Sequence, residues 1–193
     1  MGEGSHQEAT LAPATVEEAI PDLLDELEGL FQAHHRSVFG TAYRITGNAA
    51  DAEDVLQTVF LRLAGRCGAA PRLENPESYL RRAAINAALD VLRARRAADS
   101  VPLDDSQPDP GSPERSDLRD FLRRSLARLS PEAAEVFALR FFEGHSNREI
   151  ARMLGMSQVR VAVTVHRARR RLQKEISSYL GGLGGRGGHG GKP

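Results

Sequence analysis

Between Asp22 and Ile45 the chain repeats an apolar stripe at helical spacing, through Leu23, Leu27, Leu30, Phe31, His34, Val38, Ala42 and Ile45. The stripe predicts a long amphipathic helix that stops at Gly47, whose backbone tolerates the left-handed conformation of a helix end. Asn48 and Asp51 then cap a second helix with a buried face of Ala52, Val55, Leu56, Val59, Phe60 and Leu63. Its other side carries Asp51, Glu53, Asp54, Gln57 and Arg62. A loop from Gly65 to Leu73 leads to Asn75 and Pro76, a cap followed by proline at the first helical position, where a missing N–H costs nothing. In the third helix Leu80, Ala84, Ala87, Leu89 and Val91 supply the apolar side, while Arg82, Asn86, Asp90 and Arg93 line up on another face that Arg95 and Arg96 extend.

The periodicity lapses over 98–116, where prolines, Asp and Ser replace large apolar groups, the composition of a linker. It resumes with Leu118, Phe121, Leu122, Leu126 and Leu129, and Ser130-Pro131-Glu132 opens a further helix carrying Ala134, Phe137 and Phe141 up to Gly144. Ser146 followed three residues later by Glu149 is a capping box, so another helix begins there, with Ile150, Ala151 and Leu154 on its apolar stripe. Gly155 permits a turn, and Ser157 caps a last helix in which Val161, Val165, Ala168, Leu172 and Ile176 recur. Two short helices across a tight turn form a helix-turn-helix, and the small Ala151 lets them approach closely. The expected fold class is all-α: two small helical bundles, 22–97 and 117–180, joined by a flexible linker, the C-terminal one containing the helix-turn-helix. Residues 1–21 lack periodicity and read as a flexible arm. The glycine-rich tail 181–193 reads as disordered, with an RGG-like RNA contact as the other reading.

Opposite the stripe of the last helix, Arg160, Thr164, Arg167 and Arg171 project together, flanked by Arg169, Arg170 and Lys174. Such a face is either an ordinary solvated surface or the row of cations a helix needs in the major groove of DNA. Arginine forks fit both phosphate oxygens and the O6/N7 edge of guanine. A capped turn joined to that row favours DNA.

The formal net charge is zero, which by itself argues against a nucleic-acid binder. The charges are segregated, however: residues 1–60 hold eleven acidic against two basic groups, and 121–193 hold five against fourteen. This polarity implies two surfaces for two partners. Arginine outnumbers lysine 24 to 2, a bias that a GC-rich genome produces, so placement weighs more than number. With 40% hydrophobic and 5% aromatic residues in 193, two small helical units fit better than a sandwich or barrel. Cys67 is the single cysteine, so neither an intrachain disulfide nor a thiolate pair for zinc can form, and a reducing compartment is expected. No apolar run approaches the roughly 18 residues of a membrane span, and a cytoplasmic protein is expected.

With both units laid out, residues 22–178 resemble the extracytoplasmic-function sigma factors, the smallest branch of the sigma-70 family of bacterial transcription initiation factors. DAEDVLQTVFLRL at 51–63 resembles the family's polymerase-docking helix, NPESYLRRAAINAALDVLRARRA at 75–97 its reader of the promoter −10 element, and SNREIARMLGMSQVRVAVTVHRARRRL at 146–172 its −35 reader. The resemblance implies that Asp51, Glu53, Asp54 and Gln57 meet a coiled coil on the largest catalytic subunit of RNA polymerase, where the residues alone favour a solvated acidic face. It implies that Arg82, Asn86, Asp90, Arg93, Arg95 and Arg96 serve the −10 element. Asn86 would lie near a captured base, Arg93, Arg95 and Arg96 would meet phosphates, and the loop Arg66–Glu74 would form the base pocket. Asp90 has a second reading, as a structural partner of an arginine. The −35 element falls to Ser157, Gln158, Arg160, Thr164, Arg167, Arg169 and Arg171. Two departures stand out. Tyr79 replaces the family's usual Trp, and Arg160, Ala162 and Thr164 replace its usual small hydroxyl, Lys and Arg, so the bases read are expected to be unusual.

No phosphate loop, H-E-x-x-H or nucleophile elbow is present, and adjacent His34 and His35 point to different sides of a helix, so neither an enzyme nor a metal or cofactor is expected. The expected partners are core RNA polymerase, promoter DNA and, in some members of the family, an anti-sigma factor, with no small-molecule substrate. Two further readings are a helix-turn-helix regulator that works without polymerase and a sigma mimic that titrates an anti-sigma factor. Asp51 to Gln57 disfavours the first, and the arginine row disfavours the second.

Overall fold

A computed structural model describes residues 16–66, 73–99 and 113–184, and among them every regular element is a helix. In chain order these are α1 (Val16–Thr46), α2 (Ala49–Ala64), α3 (Pro76–Asp99), α4 (Pro113–Ala127), α5 (Pro131–Phe141), α6 (Asn147–Leu154) and α7 (Gln158–Gly184). Local chemistry sets their ends. The Asn48 side chain accepts from the Asp51 N–H at 3.1 Å to start α2, and Asn75 accepts from Ser78 N–H at 2.9 Å to start α3. Ser130 caps α5, with Pro131 at its first position. Each cap satisfies an N–H that the first helical turn leaves without a partner.

The first bundle packs α1, α2 and α3 around Val38, Ile45, Val55, Val59, Leu80, Ile85 and Leu89. The second packs α5, α6 and α7 with α4 around Leu126, Val136, Leu139, Ile150, Val161 and Leu172. These two cores are continuous, because α3 also packs against α4 and α5. The alanines of α3 explain how one helix serves both: Ala84, Ala87 and Ala88 are buried and let backbones approach from several directions.

Several details differ from the sequence-based expectation. Helical backbone begins at Val16, six residues before Asp22, and runs through Pro21. Proline there removes one hydrogen bond from a helix that otherwise gains one for each residue added, so the element continues past it. At the other end α7 continues to Gly184, four residues into the segment expected to be disordered. Extending an existing helix spares the cost of nucleation, which offsets the penalty of about 1 kcal/mol per glycine. The linker 98–116 is helical at both margins, to Asp99 and from Pro113. In α5 the core is formed by Val136, Ala138 and Leu139 as well as Ala134, while Phe141 is 46% exposed. That helix lies between α3 on one side and α6 and α7 on the other, so it buries more than one stripe. The remainder of the expected arm (1–15), residues 100–112 of the linker and 185–193 of the tail lie outside the described residues.

Candidate polymerase and nucleic-acid interfaces

The helix-turn-helix is built from the cap upward. Ser146 accepts from Glu149 N–H at 3.3 Å, and Glu149 accepts in return from Ser146 N–H at 2.7 Å, so both halves of the capping box are formed. The Ser146 hydroxyl also donates to Glu149 at 2.7 Å. These bonds favour the ionised carboxylate and hold Glu149 below the ordinary glutamate range. At the far end Gly155 adopts φ 63, the left-handed conformation that closes α6, and Ser157 accepts from Arg160 N–H at 3.2 Å to start α7. With Ile150, Ala151, Val161, Ala168 and Leu172 buried, the opposite face of α7 is turned outward.

On that face Gln158, Arg167, Arg169 and Arg171 are exposed and Thr164 is half-buried. Arg160 is engaged: its guanidinium donates to both carboxylate oxygens of Glu132 on α5, at 3.3 and 2.6 Å. Arg171 lies 3.5 Å from Glu175, one turn along the same helix. Beside the row, Arg140 from α5 and Asn147 from α6 share a cleft with His166 and Arg169. Arg140 was not legible as part of this surface, since it precedes α7 in the chain and only the packing of α5 brings it there. Exposed Val159 and Val163, one turn apart on α7, likewise carry no sequence signal for this surface; their exposure of 73% and 42% is a property of the folded surface.

On α2 the four expected polymerase-facing residues divide. Glu53, Asp54 and Gln57 are exposed on one side, next to Leu61, which is 71% exposed. Asp51 instead turns toward α3 and pairs with Arg95 at 2.6 Å, its side chain 14% exposed. Burial raises the Asp51 carboxyl above the ordinary aspartate range; Arg95 opposes this and the neighbouring Asp54 charge adds to it.

On α3 the expected −10 residues are almost all occupied. Asp90 pairs with Arg93 at 2.8 Å, the structural alternative foreseen for it, and Arg95 is held by Asp51. Arg82 donates to Glu135 of α5 and to the carbonyl of Met153, each at 2.9 Å, and Asn86 donates to the same Glu135 oxygen at 3.3 Å. Arg96 is exposed near the end of the helix and has an interaction of its own. Of the proposed base-pocket loop, Arg66 stacks over the Tyr79 ring at 5.3 Å, so the aromatic at that position anchors the loop's first residue; 67–72 lie outside the described residues.

A second polar cluster joins the bundles. Glu143, in the turn after α5, has a side chain 5% exposed and accepts from Thr41 at 3.0 Å and Arg44 at 2.6 Å, with Arg81 at 3.6 Å. Arg81 also reaches Nε2 of His145 at 3.0 Å, so that nitrogen is the acceptor. Neither Glu135 nor Glu143 stood out in the sequence, because their partners lie between 49 and 102 residues away.

Comparison with known proteins places this arrangement. Residues 30–98 match the model of sigma-70 region 2, and 121–172 match that of sigma-70 region 4. The RNA polymerase sigma-E factor of Streptomyces avermitilis is 34% identical over 79% of this chain and 86% of its own length. The ECF RNA polymerase sigma factor SigM of Mycobacterium tuberculosis is 31% identical over 75% of this chain and 74% of its own. Among solved structures, CnrH in complex with the cytosolic domain of CnrY shares the fold, with a TM-score of 0.52 and 24% identity over 84% of this chain and 94% of that one. Two ordered regions and relatives matched over most of their length leave one conclusion: the chain belongs to the extracytoplasmic-function branch of the sigma-70 family.

Proposed function

We propose that this sigma factor carries core RNA polymerase to promoters through a division of labour between its bundles. Residues 22–97 form the unit that docks on polymerase and handles the −10 element, 98–116 the linker that threads toward the RNA exit path, and 117–180 the unit that binds the −35 element. The observation that carries this reading is that one chain presents both an exposed acidic, amide-bearing face on α2 and a capped helix-turn-helix with an outward arginine row. Glu53, Asp54 and Gln57 meet the basic coiled coil of polymerase. Asp51 supports them from behind by tying the start of α2 to α3 through Arg95.

At the −35 element Arg167, Arg169 and Arg171 bind phosphates and guanine edges, Ser157 and Gln158 sit at the groove-facing start of α7, and Thr164 lies between them. Val159 and Val163 offer apolar contact of the kind a thymine methyl accepts. At the −10 element Arg82, Asn86, Arg93, Arg95 and Arg96 form the cationic, hydrogen-bonding track that an unpaired strand requires, with Asp90 fixing Arg93. The protein supplies specificity and the polymerase supplies the chemistry. Its place of action is the cytoplasm, where polymerase and chromosome meet; among the described residues no helix is long and apolar enough to cross a membrane. An inhibitor protein covering both interfaces is the further partner the family implies.

Run-off transcription with purified core enzyme tests the reading. Adding the chain should yield promoter-specific transcripts absent with core alone, and Asp54→Ala combined with Gln57→Ala should abolish them. Promoter-specific transcripts from the double variant at the wild-type level would remove α2 from the docking role.

A further inference from the structure

Helix α7 turns its core stripe inward through Val161, Val165, Ala168 and Leu172. Two positions on from each lie Val163, Arg167, Arg170 and Lys174, which point about 200° away from the core, and Ser177 continues their series. All five are exposed. From Val163 to Ser177 this outward stripe covers about 21 Å of helix axis at 1.5 Å per residue.

Cations beside the stripe are engaged: Arg160 donates to Glu132, and Arg171 lies 3.5 Å from Glu175. Glu175 is the one acidic residue of α7, and it turns away from the stripe toward Arg128, 3.8 Å off. Arg167, Arg170 and Lys174 meet no carboxylate among the described residues. Like charges three and four residues apart repel along a helix, a cost that surface helices avoid by alternating signs. A polyanion laid on the stripe converts that repulsion into attraction. Arg170, Gln173, Lys174 and Ser177 also border one shallow concavity, which gathers guanidinium, amide, ammonium and hydroxyl donors. These are the groups that bind phosphate oxygens of a nucleic-acid backbone.

Ser157 to Arg167 covers about 15 Å of helix axis, close to the roughly 12 Å width of the major groove. Arg170, Lys174 and Ser177 lie about 5, 11 and 15 Å beyond Arg167. A helix that enters the groove by its capped start therefore carries them onto the sugar–phosphate chain that borders it.

We propose that the second half of α7, through Arg170, Gln173, Lys174 and Ser177, is a phosphate-binding track for duplex DNA flanking the −35 element, separate from the residues that read bases. It rests on the seating of the start of α7 in the groove. Continuity of the stripe with Arg167 selects the same duplex over RNA. The track adds affinity without sequence preference, because phosphates are alike at every base pair.

The test titrates the full-length chain against a random-sequence duplex 20-mer between about 50 and 200 mM salt, with binding read by fluorescence anisotropy. Arg170→Ala combined with Lys174→Ala should reduce the slope of log affinity against log salt by about 1.8, so that wild type loses roughly tenfold more affinity than the variant over this range. Helicity and thermal midpoint should be at least those of wild type, since alanine favours helix and a like-charge repulsion is gone. Arg170→Lys with Lys174→Arg should keep the wild-type slope. So should Arg36→Ala with Arg119→Ala, which removes two exposed charges from α1 and α4. The proposal is overturned if the α7 alanine pair keeps the wild-type slope while Arg167→Ala lowers it, or if the α1 and α4 pair lowers it equally. A greater loss of affinity for a single-stranded RNA 20-mer than for the duplex also overturns it. Should Arg167→Ala be silent too, the start of α7 is not seated in the groove, and the track falls with that reading.

Discussion

Single residues here draw their roles from hydrogen bonds that can be titrated. The Ser146–Glu149 box closes the first turn of α6, and Ser146→Ala is expected to cost about 1 kcal/mol at neutral pH in urea unfolding, the usual loss for a serine cap. Because Glu149 is held below its ordinary range, its contribution is complete above about pH 4.3 and lost as pH falls through the lower folded value. The gap between wild type and Ser146→Ala should therefore narrow at pH 3; a constant gap would mean that the hydroxyl acts on the backbone N–H alone. Asp51 has the opposite sign. Raised by burial, it opposes folding while ionised, and this is relieved as pH falls through its folded value. The cap was legible because Ser and Glu three residues apart carry their own geometry. The division between Asp51 and Glu53 was not, since Arg95 lies 44 residues away.

At the level of elements, α7 joins a buried stripe to an exposed cationic row, and the row's energetics are those of counterion release. Arg167→Ala and Arg169→Ala should each reduce the slope of log affinity against log salt by about 0.9 for duplex DNA, as loss of one phosphate contact requires. A drop in affinity with unchanged slope would instead mark a contact to a base edge. All seven helices were legible because each shows its own period, and α2, α3, α5, α6 and α7 show their own caps as well. The ends of α1 and α7 were not, because propagation carries a helix beyond the residues whose pattern announces it. For α5 the sequence shows one stripe, through Ala134 and Phe137, whereas burial falls also on Val136, Ala138 and Leu139. A helix packed on two sides has no single face to reveal.

For the whole molecule, the decisive feature is that two bundles expected as tethered units share one continuous core through α3. Gly47 is a sensitive point of that union. It adopts φ 68, and a Cβ added there would overlap the Arg123 guanidinium. Gly47→Ala should lower stability by about 1–2 kcal/mol from the left-handed backbone alone. The overlapped atoms are the far end of the flexible Arg123 side chain, which can swing aside, so a thermal melt followed by scattering should show a lowered midpoint with unchanged dimensions; an increased radius of gyration would mean that α4 itself is displaced.

What the sequence alone determined is local: helical periods, N-caps, the left-handed glycine of the turn and the order of three segments along the chain. All of these rest on interactions within four residues, so reading them needs no knowledge of where the chain goes next. Only the tertiary structure decided which polar groups remain available. Arg82 and Asn86 meet Glu135 across 53 and 49 residues, and Arg160 meets Glu132 across 28. A charged side chain is a free ligand or a spent one according to which distant segment folds against it, and that is settled by packing.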